Sequence, residues 1–570
     1  MKRRSVLALA GSVTAVSFSG CSSTQEEPND QTADRSDDDG DDDEPDVEDG
    51  DTSESNTSSS DCDEVEYEEE DGYILISNIT QLQCIGDADD APLDGDYKLT
   101  QNIDASETEQ WNDGAGFDPI GECDLLEGEC QGEIFTGRFD GNGYEIVGLY
   151  IDRTDEIGLF SSVDSRDLMP AASNIKNVTL VDVNVSGESR VGGLVGVSDA
   201  GRITNASVTG VINGNESVGG LVGFNNTDAE VVDSDAEVDV TGESLVGGLV
   251  GWNTDDTTFD GQIEGSSATG RVEGDERVGG LVGNNGGDIE NSHTEVDVTG
   301  NERVGGLVGD NTFGRTTGSH SRNEVSGEEQ VGGLVGFSRE GDVFDSYAAG
   351  DVTGDERVGG LVGENRGRVE ESYAEGTVTG DDAVGGLAGR NGVVRVSDDG
   401  EIRDSYATGM VTGNEDAGGL VGDNGSEGEI TTSYATGNVT SDGFGAGGLV
   451  GTNSSGSSSG NILQSYAMGD VVGDAHVGGL VGFNGDGTVS ETYATGGVTA
   501  GDFVGGLIGD NIDGSITASY WDTASSGLDE SAGGEGLATS EMQGPEAESN
   551  MDGFDFENVW NTTPAYPEFD

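Results

Sequence analysis

The chain has 570 residues, with 114 Asp and Glu against 23 Lys and Arg, so its formal net charge is −91. This balance argues against a nucleic-acid binder and against attachment to anionic membrane surfaces, because both depend on clustered Lys and Arg. The composition, with 32% hydrophobic residues, would by itself predict disorder. A surface this acidic suits a protein kept soluble in concentrated salt, so we predict a halophilic source.

Residues 1–20 have the pattern of an export signal. A basic head, Lys2-Arg3-Arg4, precedes a weakly apolar run that is too short to span a membrane. The Arg3-Arg4 pair resembles a twin-arginine signal, and Ser19-Gly20-Cys21 resembles a lipobox, which implies a lipid on the sulfur of Cys21. A plain secretory signal is the alternative. We therefore predict a protein on the extracellular face of the cell membrane, anchored there by lipid alone.

Residues 21–71 are predicted to form a disordered acidic linker. Residues 22–71 contain 24 acidic residues and one Arg, and such a segment repels itself and buries nothing. Calcium capture is the alternative, but the carboxylates do not have the ordered spacing of a calcium loop.

Four more cysteines, Cys62, Cys84, Cys123 and Cys130, are candidates for disulfides, because their number is even and the chain is exported. Cys123 and Cys130 are close enough to close a small loop, and Cys62 with Cys84 would follow by elimination. No histidine lies near them, so a zinc site is not expected.

A hexapeptide repeat overturns the disorder prediction. Val191-Gly-Gly-Leu-Val-Gly196 is the first of twelve copies with small variations, the last starting at Val504, and the mean period is about 28 residues. Three glycines in six residues disfavour a helix, whereas the flanking Val, Thr and Tyr favour short strands. The period accommodates three short strands and three corners, which is one coil of a parallel β-solenoid. We predict an all-β fold of about 13 coils.

The remaining segments are assigned around the repeats. Residues 72–150 are predicted to form an N-terminal cap and the first coils, 151–521 the repeat solenoid, and 522–570 a C-terminal cap. Asn78–Ile85 and Ser540–Met551 are candidate capping helices, the second interrupted by Pro545. Stacked coils would align an Asn that follows ten of the twelve hexapeptides into a hydrogen-bonded ladder, with Ser198 and Ser338 in the other two units.

These motifs resemble the GLUG-motif repeat family of cell-surface proteins. The resemblance rests on the hexapeptides together with Ser-Tyr-Ala and Val-Thr-Gly, as in Ser372-Tyr373-Ala374 and Val378-Thr379-Gly380. Phe135–Tyr144 resembles the segment that precedes the repeats in this family, and Ser519–Asp522 resembles part of its usual ending. The resemblance covers roughly residues 72–570 and implies surface display and interaction more than a reaction.

The sequence predicts no catalytic residue, metal or cofactor, and we expect a protein that is not an enzyme. The three histidines, His293, His320 and His476, are expected at exposed corners. The alternatives are a carbohydrate-active solenoid enzyme, either a polysaccharide lyase or a hydrolase, and a passive envelope spacer. Asp255-Asp256 and Asp398-Asp399, in corner insertions, are the best catalytic candidates.

Two sets of aromatic residues could contact a partner. The position after the hexapeptide varies freely, which predicts an exposed corner with candidate contact aromatics at Phe224, Trp252, Phe337 and Phe483. The second set is a column of tyrosines that either binds sugars or, as we favour, simply stabilises adjacent coils: Tyr347, Tyr373, Tyr406, Tyr434, Tyr466, Tyr493 and Tyr520. The expected partner is a cell-surface or extracellular polysaccharide or protein, with no nucleic acid.

Overall fold

The computed structural model describes residues 59–122, 124–126, 129–164, 174–256, 259–392, 400–453 and 460–569. These residues lie in one compact unit, Asn56–Asp570. The predicted export signal and the lipidation site Cys21 lie outside the described residues.

The fold is the predicted parallel β-solenoid. One complete coil contains the strands Arg368–Glu370, Tyr373–Ala374, Val378–Thr379, Asp382–Gly385 and Ala388–Asn391. Each strand pairs in parallel with its counterparts in adjacent coils, and identical repeat positions align: Val358 pairs with Val384, and Asn365 with Asn391.

The twelve strands that follow the hexapeptide glycines, together with Phe160–Asp164 before them, form one continuous sheet of 13 strands. In chain order these strands are Phe160–Asp164, Val195–Asp199, Val222–Asn226, Val250–Asn253, Val282–Asn285, Val308–Asn311, Val335–Ser338, Val362–Asn365, Ala388–Asn391, Val421–Asn424, Val450–Asn453, Val481–Asn484 and Ile508–Asn511. The strands that enter the hexapeptides lie in a second, larger sheet: Ser189–Gly192, Glu216–Gly219, Ser244–Gly247, Glu276–Gly279, Glu302–Gly305, Glu329–Gly332, Glu356–Gly359, Asp382–Gly385, Glu415–Gly418, Val439–Gly447, Val471–Gly478 and Val498–Gly505.

The core runs along the solenoid axis and consists of stacked Val and Leu. Val358, Leu361 and Val362 of one hexapeptide are fully buried, as are their counterparts in neighbouring coils. The glycines between them are required by the sharp bend: a Cβ on Gly359 would lie 2.0 Å from the carbonyl oxygen of Val362. The hexapeptide is therefore a bend that brings two sheets together around Leu.

The four coils between Arg315 and Asn424 contain five short strands each, not the three predicted, and the next three coils contain four, four and three. Longer strands such as Asp235–Thr241 and His293–Thr299 run through this part of the coil in the first repeats. Later coils replace a buried Val of those strands, such as Val238, with Gly. A Cβ on Gly376 would lie 1.8 Å from the carbonyl oxygen of Gly350, so this position leaves no room for a side chain, and it lies between the strands Tyr373–Ala374 and Val378–Thr379.

The N-terminal cap begins before residue 72, which corrects the predicted end of the disordered linker. A 3-10 turn, Ser59–Glu64, carries Cys62, which is bonded to Cys84. Strand Glu68–Glu70 then pairs antiparallel with Tyr73–Ile76. The last residues of the predicted linker are thus held by a disulfide and by a strand pairing.

The predicted N-terminal capping helix is present at Ile79–Gln83, with Asn78 accepting a hydrogen bond from the backbone N–H of Gln81. Further strands lead into the coils: Asp96–Leu99, Ile103–Asp104, Arg138–Asp140, Glu145–Val147, Tyr150–Asp152 and Asp155–Ile157. Strands Asp124–Leu126 and Glu129–Gln131 form a hairpin. Cys123 lies outside the described residues and Cys130 is described only in its backbone, so a bond between them stays a prediction.

The C-terminal cap packs against the side of the last coils. It contains the helices Thr523–Ser526 and Pro545–Asn550, a 3-10 turn at Thr539–Glu541, and the antiparallel pair Trp560–Asn561 and Glu568–Phe569. The predicted helix Ser540–Met551 is divided: the 3-10 turn ends at Glu541, and the helix begins at Pro545, because a proline at the first helical position has no N–H to leave unpaired.

Candidate binding surfaces

The predicted tyrosine column is a continuous stack of rings. From Tyr347 to Tyr493, neighbouring ring centroids lie 4.9–5.0 Å apart and the rings are parallel to within 7°. His293 and His320 extend this stack at its N-terminal end, so they are not free corner residues. Burial lowers the pKa of His320, with smaller effects from Arg322 and His293.

This stacking decides between the two interpretations of the tyrosines. Each ring inside the column has a neighbour on both faces, so a sugar ring has no face on which to stack. The C-terminal cap also buries Tyr466 and Tyr493, while Tyr520 packs on Phe554 of the cap at 5.7 Å. The column supports the coils, as favoured above, and offers a ligand only ring edges and hydroxyl groups.

The asparagine ladder is also present. In eight coil-to-coil contacts the Nδ2 of one asparagine donates to the Oδ1 of the next at 2.7–3.0 Å, and these side chains are buried in all but the last coil. Ser338 interrupts the ladder, and its hydroxyl donates to the carbonyl of Gly341 instead.

The residues immediately before and after each hexapeptide recur in every coil and contact each other in several coils, and we call these two columns of positions the flanking strip. Arg303 contacts Asp310 at 3.0 Å across it, and Arg357 contacts Glu364 at 3.2 Å. Many of the residues before the hexapeptide adopt positive φ, for example Arg303 at 57°. This backbone turn points their side chains over the position that follows the hexapeptide.

The predicted exposure of that following position is therefore wrong. Phe224 and Phe337 are buried, Phe337 being only 3% exposed, and Trp252 and Phe483 are half-buried. Arginines cover Phe337: the guanidinium groups of Arg303 and Arg366 lie 5.4 and 4.9 Å from its ring. The residue type at this position varies because each residue packs against different neighbouring side chains that shield it from solvent. The repeat pattern in the sequence does not show that these neighbours shield it.

One coil of the strip has carboxylates at both facing positions. Asp423 is buried and pairs with Arg390 at 3.0 Å, while its other oxygen, Oδ1, is buried without a hydrogen-bond donor. Asp416 accepts a hydrogen bond of 2.5 Å from the Thr452 hydroxyl, and burial raises the pKa of the Asp416 carboxyl to about 7, with Asp423 adding to the shift. This cluster differs from the rest of the strip.

The C-terminal end of the strip is an aromatic patch, formed by Phe444, His476, Phe483 and Phe503. His476 stacks on Phe503 at 4.6 Å and contacts Phe444 at 4.4 Å. Phe503 is 60% exposed and Phe444 is 36% exposed. Residues 404–570 contain 26 acidic residues and no Lys or Arg, so no arginine covers these rings as it covers Phe337.

A cleft of about 800 Å³ lies at the opposite end of the strip. Its acidic walls include Asp87, Asp118 and Glu133, and burial raises the pKa of Asp87, helped by the other two carboxylates. Two ion pairs bridge it, Arg153 with Asp118 at 3.2 Å and Arg190 with Glu156.

The predicted catalytic candidates do not form a recognisable site in the described residues. Asp255-Asp256 is described only as backbone, in a short hairpin with Phe259–Asp260, and Asp398-Asp399 lies outside the described residues. Within the described residues, no group of three or more His, Cys, Asp or Glu is arranged to hold a metal ion. None of the helices in the described part of the chain is long and apolar enough to span a bilayer.

Comparison with known proteins identifies the repeat. A family profile described as the GLUG motif matches residues 187–213, 214–241, 242–273, 274–299 and 354–379. The chain carries GLUG-motif repeats. They occupy the coils that hold the flanking strip, so the GLUG repeat and the solenoid coil are the same unit.

Two relatives align with part of this GLUG-repeat chain. Halomucin from Haloquadratum walsbyi is 37% identical over 170 residues, which is 29% of this chain and 2% of the halomucin. An immunoglobulin A1 protease from Streptococcus sanguinis is 31% identical over 148 residues, or 26% of this chain and 7% of the protease. The crystal structure of an immunoglobulin A1 protease candidate from Bacteroides ovatus covers 60% of this chain and 77% of its own, with 16% identity and a TM-score of 0.25.

The match to a protease corrects one prediction. We expected a protein that is not an enzyme, yet a quarter of the chain aligns with a relative that is named as an enzyme. Repeats of this kind therefore do not exclude catalysis. The chain spans only 2% of the halomucin and 7% of the protease. The activity of either whole relative therefore describes that relative and not this chain.

Proposed function

We propose that this protein acts at the cell surface, where its GLUG-repeat solenoid mediates adhesion by binding extracellular glycans. The names of the relatives, a mucin and an immunoglobulin protease, are those of cell-surface or secreted proteins, and this supports an extracellular role. The proposal includes export through the twin-arginine signal and a lipid on Cys21. A halobacterial relative and the net charge of −91 support a salt-rich environment.

The aromatic patch carries the proposal. Exposed aromatic rings are costly in water and are typical of binding surfaces. Phe503, which precedes the last hexapeptide, is 60% exposed, and Phe444, two residues before its hexapeptide, is 36% exposed, whereas Phe337 is covered by arginines. The rings could pack against the apolar faces of sugar rings, while nearby carboxylates such as Asp510 accept hydrogen bonds from sugar hydroxyls.

Binding to intact cells and to a panel of neutral and acidic polysaccharides, in molar salt, tests this proposal. Phe444→Ala and Phe503→Ala should each weaken saturable binding by about tenfold, the loss of roughly 1.4 kcal/mol of ring contact. Phe313→Ala is the matched control, since Phe313 is 52% exposed but lies outside the patch. Equal binding by wild type and both patch variants would contradict the proposal, and no binding to any target would favour a passive spacer.

A second candidate function, glycan cleavage, is favoured by the Asp416 cluster. A carboxyl that remains protonated near neutral pH is suited to act as a general acid, and Arg390 holds a second carboxylate, Asp423, beside it. The same binding assay separates the two functions if released sugar fragments are measured. Steady release that Asp416→Asn abolishes would establish cleavage, whereas saturable binding without release would leave adhesion.

A further inference from the structure

The last coil of the solenoid has an open edge, and we propose that this edge accepts an extended, Lys- or Arg-bearing segment of a partner protein as one more β-strand. The edge is the strand Val498–Gly505. It pairs in parallel with Val471–Gly478, and no strand of the described residues pairs with its other side.

Backbone donors at this edge have lost the acceptors that every earlier coil supplies. Within the solenoid, the N–H of Val378 donates to the carbonyl of Met410 in the next coil at 2.9 Å, and the N–H of Gly380 to that of Thr412 at 3.0 Å. The strand register places Val498 and Ala500 at the same two repeat positions in the last coil. Their N–H groups therefore point to where the next coil would lie.

The exposure of Val504, at a repeat position that is buried in the other coils, also shows that no further coil in the described part of the chain packs on this edge. The first residue of the hexapeptide is 0% exposed in the eleven preceding copies, from Val191 to Val477, but Val504 is 37% exposed. The adjacent Phe503 and Ile512 are also exposed. The segment that closes the core end makes its backbone hydrogen bonds just after this strand: the carbonyl of Glu530 accepts from the N–H of Gly506, and the hydroxyl of Ser531 accepts from the N–H of Ile508.

The negative charge around the edge favours a positively charged partner segment. The strand itself carries Asp502, the neighbouring strand and turn carry Asp510 and Asp513, and the closing segment carries Asp529 and Glu530. No Lys or Arg occurs after Arg403. A second copy of the same edge would bring like charges together, whereas an extended segment that alternates apolar residues with Lys or Arg would match both the exposed Val504 and the carboxylates.

Peptide binding to the full exported chain tests this inference. The probe is a fluorescent peptide of alternating valine and lysine, and its control has glutamate in place of lysine. We expect the lysine peptide to bind saturably and Ala500→Pro to weaken binding by at least about tenfold, because proline removes an outward N–H without disturbing the inward pairing. Val504→Thr, a change of similar volume, is a second variant that should weaken binding even if Ala500→Pro alters the fold. Phe313→Ala should bind as wild type does.

Three outcomes would overturn the inference. Ala500→Pro and Val504→Thr could bind the peptide as wild type does; the glutamate peptide could bind as tightly as the lysine peptide; or sedimentation could show a dimer of the chain that Ala500→Pro dissolves. The inference does not rest on glycan binding. Phe444→Ala should leave peptide affinity unchanged, and Ala500→Pro should leave glycan affinity unchanged, so either proposal can fail alone.

Discussion

At the scale of single residues, the flanking strip shows how one repeat position can hold opposite chemistries. Asp310 and Phe337 occupy equivalent positions in adjacent coils, and both are buried beneath Arg303. A guanidinium can pair with a carboxylate and also lie over an aromatic face, so one covering residue serves both. At Asp416, where the covering residue is itself a carboxyl, burial raises the pKa to about 7, and the neighbouring Asp423 adds to this shift.

The raised pKa of Asp416 predicts a specific pH dependence of stability. A carboxyl whose pKa rises to about 7 on folding keeps its proton in the folded state between about pH 4 and 7, while the unfolded chain has lost it. The contribution of this group to the free energy of unfolding therefore falls as pH rises through that window and stays low above it. Asp416→Asn should be more stable than wild type at pH 8, by on the order of 1–2 kcal/mol, and no more stable at pH 4. Thermal melts at the two pH values measure this; an equal difference at both would contradict it.

At the scale of the repeated element, the sequence predicted which residues of successive coils stack on one another, but not which side chains bury the residues after the hexapeptides. The period sets the strand register, and the register aligns the asparagines, the tyrosines and the buried valines, all of which the structure confirms. Phe224 is buried against Val197, Ile134 and Trp252, but the burial of Phe337 depends on the direction of the Arg303 side chain in the adjacent coil. That direction follows from a positive φ at a residue other than glycine, which no local pattern announces. His293 and His320 were not predicted to join the ring stack. They occupy the repeat position that is filled by tyrosine only from Tyr347 onward, so the Ser-Tyr-Ala motif does not mark them.

The asparagine ladder is the part of the element whose removal should cost most. Asn391 donates to Asn424 at 3.0 Å and accepts from Asn365 at 2.9 Å, so Asn391→Ala leaves a buried donor of Asn365 without this partner and destabilises the chain by about 2–4 kcal/mol. Asn391→Ser should cost less, because Ser338 fills the same repeat position in the native chain. Denaturant unfolding of the three proteins gives the comparison. A similar loss in the free energy of unfolding for both variants would contradict the expectation that a hydroxyl can partly replace the amide at this position.

At the scale of the whole molecule, charge is distributed unevenly along a nearly one-dimensional fold. Residues 271–403 contain twelve of the 23 basic residues, and several of them form ion pairs along the strip. Residues 404–570 contain none, so repulsion among their 26 acidic residues is relieved mainly by solution ions, although Asp423 pairs with Arg390. In a solenoid each coil contacts mainly its neighbours, and stability can therefore differ from one end to the other.

This asymmetry predicts that the solenoid loses structure from its C-terminal coils when salt is removed. Amide hydrogen exchange followed along a series from molar to millimolar salt should show protection lost first in the strands between Val421–Asn424 and Ile508–Asn511, and later in those between Val282–Asn285 and Ala388–Asn391. The Debye length grows from about 3 Å at 1 M to about 30 Å at 0.01 M, so carboxylates on neighbouring coils, roughly 5 Å apart, interact fully only in dilute salt. Replacing Glu415 and Asp442 with arginine would supply in the C-terminal coils the kind of charge that Arg357 provides earlier, and should shift their loss of protection to lower salt. Simultaneous loss along the whole chain would mean that the coils unfold as one cooperative unit and that local charge does not set the order.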